Sequence, residues 1–210
     1  MSRIVILNGG PFLTSRLMGV IQHAEVHAAG RGHELHRIDV VKLPAEDLIL
    51  ARIDSKKIAS ANRLLAGAEA VIMASPVFQA SYTGLLKTFL DTVPKKGLSG
   101  KIILPLFIGG SLAHLLAMDY ALKPVLSALG ARHILGGVFA VDSQIAREES
   151  GAMTLAPELV ERLDASLEEL FAELEKRNLM RAGGNNGADA PDACTALIGS
   201  LGVQIHRNVR

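Results

Sequence analysis

Two hydroxyl residues and an arginine follow the first apolar run of the chain. Thr14, Ser15 and Arg16 come after Asn8-Gly9-Gly10-Pro11 and directly before an apolar pattern with helical spacing. A helix N-terminus offers free backbone N–H groups and the positive end of the helix dipole, so this turn can bind a phosphate. The alternative is a plain helix that Thr14 or Ser15 caps. The turn is neither a GxGxxG motif nor a Walker A loop, which argues against tight binding of a dinucleotide or ATP.

A second segment with the pattern of a ligand site begins at Val71 and ends at Asp91. Val71–Ala74 predicts a buried strand, Ser75–Ser81 a loop, and the apolar residues of 84–90 a helix. Pro76 cannot donate a ladder hydrogen bond and disfavours helix in the residue before it, so the strand is expected to stop there. In open parallel sheets, ligands bind where such a strand-to-helix crossing lies at the topological switch point.

Five apolar runs alternate with helical patterns, which predicts right-handed βαβ crossovers and a doubly wound parallel sheet of the α/β class. Five strands favour the flavodoxin-like order 2-1-3-4-5, with helices on both faces and a switch point between strands 1 and 3. The Asn8–Arg16 and Ser75–Ser81 loops follow those two strands, so they are expected to meet in one crevice. The predicted strands are Ile4–Leu7, His33–Val40, Val71–Ala74, Lys101–Ile108 and Arg132–Val141.

Composition narrows the class of protein. The 210 residues are 49% hydrophobic, carry a net charge of +1 and contain no basic cluster, which argues against nucleic acid as a partner. Pro105, Gly109 and Gly110 interrupt the uncharged stretch Ile102–Met118, which predicts a strand and a helix rather than a membrane span. A lone cysteine, Cys194, excludes a disulfide framework and indicates a reducing compartment, so a cytoplasmic protein is expected.

One domain, residues 1–178, is expected to precede a flexible linker and tail, residues 179–210. Pro157–Arg177 predicts the last helix, with its proline in the first turn. The residues from Arg181 to Pro191 are poor in side chains that can pack, which is typical of a linker. Earlier in the chain, Leu43–Leu48 is expected to be irregular.

The segments PAEDLILARIDS, SPVFQASYTGLLKTFLD, LPLFIGGSLAHLLAMDYALKPVLSALGA and GVFAVDSQ carry a family resemblance. Over about residues 3–175, the chain resembles the NAD(P)H-dependent FMN reductases of two-component alkanesulfonate monooxygenase systems. The resemblance implies a flavodoxin-like fold, a homo-oligomer (dimer or tetramer), and FMN with NADPH, or else NADH, as substrates. It also implies delivery of free reduced FMN to a separate flavin-dependent sulfonate monooxygenase that serves sulfur assimilation.

The resemblance also assigns flavin-binding residues. The ring-binding loop of the family corresponds to Pro76, Val77, Phe78, Gln79, Ala80 and Ser81, and a second flavin-contacting turn to Gly109, Gly110 and Ser111, with His114 one turn later. Thr14, Ser15 and Arg16 remain in the phosphate loop, but Gly10-Pro11-Phe12 stands where the family has Ser-x-Arg. The two missing side chains remove about 1.5–3 kcal/mol each if nothing replaces them, so either FMN binds weakly or Arg16 substitutes.

The flavin carries the hydride chemistry, so neither a catalytic acid–base residue nor a metal is expected. Backbone N–H groups of the Ser75–Ser81 loop can hold the ring edge, and the helix N-terminus near Ser111 can stabilise the reduced, anionic ring. Phe78 is either part of the stacking wall or a plug within its own loop. His114 either orients the flavin or satisfies a backbone carbonyl.

Pro124 predicts a distortion of the helix expected over Leu112–Leu129, because it removes the hydrogen bond to the carbonyl of Tyr120. A π-bulge is one way to absorb that loss. By resemblance, Tyr120 lies in a π-helical turn at an interface between subunits.

Three alternatives stay open from the sequence. The first is a quinone, azo-dye or chromate reductase that keeps FMN as a prosthetic group. The second is a non-catalytic flavodoxin-like flavin-binding protein or electron carrier, although the balanced charge speaks against it. The third is a homologue that no longer binds flavin, which the altered Gly10-Pro11-Phe12 turn keeps open.

Overall fold

The computed structural model describes residues 1–184, with side chains up to Arg181. Residues 1–174 form one compact unit, and a second unit begins at Glu175. The strands of the described chain are β1 (Arg3–Asn8), β2 (Glu34–Asp39), β3 (Ala70–Phe78), β4 (Ser81–Tyr82), β5 (Ile102–Gly109), β6 (His133–Ile134), β7 (Val138–Val141), β8 (Ile145–Arg147) and β9 (Met153–Leu155). The α-helices are α1 (Leu17–Gly30), α2 (Ala45–Ile49), α3 (Lys56–Ala66), α4 (Gly84–Leu90), α5 (Lys123–Ala128) and α6 (Pro157–Gly184).

The central sheet has the order β2-β1-β3-β5, and β6 and β7 both pair with the far side of β5. All of these pairings are parallel. The flavodoxin-like order 2-1-3-4-5 predicted from the sequence is confirmed, with β5 as the fourth strand and β6 with β7 as the fifth. Two short antiparallel additions, β4 on β3 and the β8–β9 hairpin, were not predicted.

Alternate residues of the central strands enter two separate cores. Ile4, Ile72 and Leu104 pack on one face against α1 and α6. Val5, Val71 and Ile103 pack on the other face against α3, α4 and α5. Because both faces are covered, these strands consist of continuous apolar runs instead of alternating apolar and polar residues, and this is why they could be identified from sequence.

The third strand was predicted to stop at Pro76, but it continues to Phe78. The Ala74 carbonyl accepts from Gly9 N at 2.8 Å, so the backbone groups of Ala74, and of Pro76 two residues later, point toward β1. The β1 ladder ends at Asn8, opposite Ala74. The missing N–H of Pro76 therefore faces a position beyond the end of β1, where no ladder bond is lost.

The fifth strand, predicted as continuous over Arg132–Val141, is split by Gly136 and Gly137. On β5 the paired positions advance by three residues, from 103 to 106, while on its partner they advance by four, from 134 to 138. The extra residue is accommodated at Gly137, whose φ is +78° and whose Cβ would lie 2.7 Å from the Pro105 carbonyl oxygen. The break is therefore a bulge that only glycine permits.

Two further predictions also need correction, because helical turns replace an irregular link and one long helix is divided. Residues 40–49, expected to include an irregular link, contain a 3₁₀ turn over Val40–Lys42 and the short helix α2, whose Leu48 is buried. The helix predicted over Leu112–Leu129 is instead a 3₁₀ turn (Leu112–His114), a π-helix (Ala117–Leu122) and α5, in which Pro124 lies in the first turn.

The last helix, predicted over Pro157–Arg177, extends to Gly184, because residues 175–181 are mostly strong helix formers without proline. The remainder of the predicted tail, including Cys194, lies outside the described residues. Within the described range, no helix is long and apolar enough to cross a membrane.

Candidate functional site

The loops after β1 and β3 meet at the carboxyl end of the sheet, as the strand order predicts. Gly9 N donates to the Ala74 carbonyl at 2.8 Å, and the Thr83 hydroxyl donates to the Gly9 carbonyl at 2.6 Å. The same hydroxyl caps α4 by accepting from Leu86 N at 3.0 Å. A Cβ on Gly9 would lie 2.6 Å from the Leu86 Cβ, so only glycine allows this approach. The turn after β1 is thereby held directly against the start of α4.

A buried polar pair orients the next residue of that turn. Asn8 Nδ2 donates to Asp39 Oδ1 at 3.0 Å, while Asn8 Oδ1 accepts from Gly10 N at 2.9 Å. Burial raises the pKa of the Asp39 carboxyl, but hydrogen bonds from Lys42 and Asn8 and the charge of Arg37 outweigh burial, so that its pKa stays below the ordinary value. Asp39 therefore remains ionised near neutral pH and fixes the Asn8 amide that holds Gly10.

A cleft of about 410 Å³ opens above these loops. This volume is within the usual range for small-molecule sites, and the cleft lies at the switch point where ligands of open α/β sheets bind. Its walls come from the turn after β1, the end of β3, the end of β5 and the segment that follows β7. The lining residues are Pro11, Phe12, Thr14, Ser15, Arg16, Leu17, Pro76, Val77, Phe78, Ile108, Gly109, Gly110, Asp142 and Arg147.

The alternative to a phosphate site was that Thr14 or Ser15 caps α1. The structure shows no such side-chain cap. Arg16 occupies the N-cap position, and neither Thr14 nor Ser15 caps the helix. Within the described chain, Ser15 Oγ is buried without a hydrogen-bond partner. Because a buried hydroxyl normally finds a partner, an orphaned one beside a helix N-terminus fits a bound phosphate.

Arg16 is tied to another wall of the cleft. Its Nε donates to the Ile145 carbonyl at 2.9 Å, which joins the turn before α1 to β8. That bond uses one of the five donors of the guanidinium and leaves its terminal nitrogens for other acceptors. Since Arg16 also lines the cleft, these nitrogens are candidate donors to a phosphate bound there.

The segment that the resemblance assigned to the flavin ring is a β-hairpin. Val77 pairs with Tyr82 and Phe78 with Ser81, which leaves Gln79 and Ala80 as a two-residue loop. Their φ angles of 50° and 61° correspond to a type I′ turn, although neither residue is the preferred Asn or Gly. The hairpin holds Phe78 at the rim of the cleft with 49% of its surface exposed. Phe78 is therefore not a plug within its loop and has a face available for stacking.

The structure brings together eight of the residues that the resemblance assigned to flavin binding. Thr14, Ser15, Arg16, Pro76, Val77, Phe78, Gly109 and Gly110 all line the cleft. Five others do not line it: Gln79 and Ala80 form the exposed turn, Ser81 pairs with Phe78, and Ser111 and His114 lie on the exposed 3₁₀ turn after β5. Ser111 Oγ accepts from Ala113 N at 3.2 Å, so its present role is to cap that turn.

Tyr120 lies within the π-helix over Ala117–Leu122, where the resemblance placed it, and 77% of its surface is exposed. The two leucines before the π-helix, Leu115 and Leu116, are also exposed. The π-helix ends directly before Lys123 and Pro124, which begin α5. The wide turn thus accommodates a proline at the residue whose N–H a regular helix would have used.

Two charged cleft residues, Asp142 and Arg147, were missed by sequence reasoning. Asp142 follows β7, and its Oδ2 would lie 3.9 Å from a Cβ on Gly110. Arg147 ends β8, the strand whose first carbonyl accepts from Arg16. Asp142 could have been found from the sequence, because it directly follows a buried strand at the edge of the sheet where ligands bind. The β8–β9 hairpin that carries Arg147 has no comparable sequence signal.

These features fit FMN and a reduced nicotinamide nucleotide. A phosphate finds an unpaired hydroxyl at Ser15 and guanidinium groups at Arg16 and Arg147. A planar ring finds the backbone of Pro76–Phe78 and the glycine pair at 109–110, where a Cβ on Gly109 would lie 2.8 Å from the Phe139 ring. Glycine at this position lets the end of β5 pack directly against Phe139, a buried core residue below the cleft.

Comparisons with known proteins point the same way. Residues 2–146 match the family described as NADPH-dependent FMN reductase. FMN reductase (NADPH) from Escherichia coli strain K12 is 42% identical over 177 residues, 84% of this chain and 92% of that protein. The enzyme of the same name from Pseudomonas putida strain KT2440 is 44% identical over 175 residues, 83% of this chain and 89% of that protein. The crystal structure of apo NADH:FMN oxidoreductase (EMOB) aligns with a TM-score of 0.73 at 34% identity, covering 81% of this chain and 88% of that one.

Proposed function

Since this chain belongs to the NADPH-dependent FMN reductase family, we propose that it is the reductase component of a two-component sulfonate monooxygenase system. It is an NAD(P)H-dependent FMN reductase with FMN and a reduced nicotinamide nucleotide as substrates. Beyond that activity, the proposal is that reduced FMN leaves the protein and reaches a separate flavin-dependent monooxygenase, in the cytoplasm, for sulfur assimilation. NADPH is proposed as the preferred nucleotide.

The proposal that the flavin is released rests on the composition of the phosphate end of the cleft. Gly10-Pro11-Phe12 supplies neither a hydroxyl nor a guanidinium, and Phe12 is 65% exposed. A phosphate there is left with the hydroxyls of Thr14 and Ser15, with Arg16, which already holds the Ile145 carbonyl, and with the exposed Arg147. Fewer charge-assisted hydrogen bonds imply weaker retention, which suits a flavin that is a substrate.

The residues of the cleft bind and orient, and the bound FMN accepts the hydride from the nicotinamide. Ser15, Arg16 and Arg147 hold the phosphate end. The Pro76–Phe78 backbone and the Gly109–Gly110 turn flank the ring, and Phe78 provides an aromatic wall beside it. The protein's part in the rate is to hold the two rings in a reactive arrangement, so no acid–base side chain is required.

Steady-state oxidation of NADPH with FMN, riboflavin or FAD as acceptor tests the proposal. In the Ser15→Ala variant, the KM for FMN is expected to rise by about fivefold, which corresponds to loss of one hydrogen bond of about 1 kcal/mol. The KM for riboflavin, which lacks the phosphate, is expected to stay unchanged. Equal effects on both flavins would remove Ser15 from the phosphate site.

Release is tested separately from reduction. After desalting, the protein is expected to lose its flavin, and NADPH with catalytic FMN is expected to support a flavin-dependent sulfonate monooxygenase added in a second compartment of a dialysis cell. A yellow protein that retains FMN and reduces quinones would instead support the reductase with a prosthetic flavin. Support of the oxygenase only when the two proteins touch would contradict free diffusion of the reduced flavin.

A further inference from the structure

Two helices on the same face of the sheet carry a group of metal-ligating side chains away from the cleft. His23 and His27 are four residues apart on α1, and Asp164 and Glu168 are four residues apart on α6, so each pair lies on one side of its helix. His23 Nε2 lies 2.6 Å from Asp164 Oδ1, and His27 Nδ1 lies 3.4 Å from the same oxygen. The four side chains therefore meet where α1 and α6 pack together.

Three of these residues have the spacing of a metal site. One ligand atom each from His23, His27 and Asp164 can be chosen so that all three lie within 4.8 Å of one another. Tetrahedral Zn²⁺ with bonds of about 2.0–2.2 Å needs ligand atoms roughly 3.3–3.5 Å apart, a distance that small side-chain rotations provide. The exposed fractions of the three side chains, 23%, 27% and 39%, leave a path for an ion and a position for water.

The surroundings of His27 favour the ligating form of its ring. Its Nε2 lies 3.0 Å from Glu168 Oε1, so in the neutral tautomer that donates to this carboxylate, Nδ1 is the free ligand atom facing Asp164. Glu168 is itself paired with Arg31, and the His27 ring stacks on Phe171 with an interplanar angle of 13°. This carboxylate–histidine arrangement is the usual outer support of a metal-bound imidazole.

We propose that His23, His27 and Asp164 form a site for a divalent transition-metal ion, Zn²⁺ foremost, which joins α1 to α6 and is supported by Glu168. Two imidazoles with one carboxylate suit Zn²⁺, Co²⁺ or Ni²⁺, whereas Mg²⁺ and Ca²⁺ prefer oxygen ligands alone. His23 lies seven residues, about 10 Å along the helix, from Arg16 at the cleft. The ion would stabilise the packing of the two helices and take no part in hydride transfer.

The test uses the full chain after chelator treatment, titrated with Zn²⁺ and followed by thermal unfolding, and with Co²⁺ and followed by its visible absorption. A hundredfold excess over the Kd is expected to raise the unfolding midpoint by about 5–10 °C. His23→Gln and Asp164→Asn are each expected to weaken Zn²⁺ binding by at least about a hundredfold, and Glu168→Gln by about 10- to 100-fold. The intense visible bands of tetrahedral Co²⁺ are expected only where the three ligands are intact.

His36→Gln is the matched control, because His36 also pairs with a carboxylate, Glu34 at 2.7 Å, but belongs to no group of three metal-ligating side chains in the described part of the chain. It is expected to bind Zn²⁺ like the unmodified chain, and a Cys194→Ser background removes binding by that thiol. Equal Zn²⁺ affinity in His23→Gln and His36→Gln would overturn the proposal. A second result would also overturn the proposal: Asp164→Asn lowers the unfolding midpoint in the absence of metal, while Zn²⁺ does not change the midpoint of the unmodified chain. The four side chains would then stabilise the packing of α1 and α6 by ion pairs alone.

Discussion

Arg16 and Arg147 both line the cleft, and each carries a guanidinium group. Arg16 stands at the N-cap of α1, and Arg147 ends β8, whose first carbonyl is the acceptor for Arg16 Nε. The turn at residues 10–12 lacks the arginine that the family motif carries. Besides Arg16, Arg147 is the only positively charged residue among the described residues that line the cleft, so we propose that it replaces part of the missing positive charge.

Replacing either arginine should weaken FMN binding. Arg16→Ala and Arg147→Gln are each expected to raise the KM for FMN by about 10- to 100-fold, the equivalent of one charge-assisted hydrogen bond of about 1.5–3 kcal/mol, and to raise the KM for NADPH less. Steady-state kinetics with FMN and riboflavin measure both effects, and the riboflavin KM should change little.

Arg132→Gln serves as the control, since Arg132 bonds the Ser127 and Ala131 carbonyls and does not line the cleft. If Arg147→Gln raised the KM for NADPH and not that for FMN, Arg147 would belong to the nicotinamide nucleotide. If Arg16→Ala affected both substrates equally, its role would be limited to holding Ile145.

At the level of single residues, the sequence predicted the cleft where a family motif covers it and failed elsewhere. The order of strand, proline and helix indicated the Ser75–Ser81 loop, and the family resemblance then assigned Pro76, Val77 and Phe78, which line the cleft. Arg147 was missed because its position depends on a three-residue strand that only tertiary contacts stabilise. Ser15 was identified, but its lack of a partner is a property of burial that no spacing reveals.

Among the elements, the split fifth strand depends on one glycine. Gly137→Ala is expected to lower the free energy of unfolding by more than about 2 kcal/mol, because its φ of +78° disfavours an L side chain and the new Cβ would meet the Pro105 carbonyl. Denaturant titration measures the loss.

Gly136→Ala is the paired control, because a Cβ at Gly136 has no atom within 4 Å. It is expected to change stability by less than about 1 kcal/mol. Similar losses in both variants would mean that the bulge tolerates a side chain and that another feature breaks the strand.

The order of the central strands was predictable because burial on both faces makes β1, β3 and β5 uninterrupted apolar runs. The lengths of the elements were less predictable. Pro76 was treated as a stop without knowing that its nitrogen faces beyond the end of β1. Gly136-Gly137 was passed over because a bulge is defined by the register of the neighbouring strand, which a single sequence does not contain.

For the whole molecule, the π-helix is the proposed contact between subunits. Tyr120 projects from it with 77% of its surface exposed, close in sequence to the exposed Leu115 and Leu116. Tyr120→Ala is expected to shift the chain toward a smaller oligomer or to change its flavin retention. Sedimentation equilibrium and flavin absorbance after desalting measure these two outcomes.

Val26→Ala is a suitable comparison, since Val26 is 75% exposed on α1, away from the π-helix. It should leave the oligomer unchanged. If Tyr120→Ala left the mass of the oligomer and the turnover unchanged, the proposed interfacial role of Tyr120 would be ruled out.

The extension of β3 beyond β1 also bears on solubility. A strand that outruns its neighbour presents unpaired backbone groups, which invite pairing with another chain and aggregation. Here Pro76 removes one donor from the protruding part, and β4 folds back to pair with Val77 and Phe78. The hairpin therefore also pairs backbone groups at the protruding end of β3, so mutations that open it are expected to lower the amount of soluble protein.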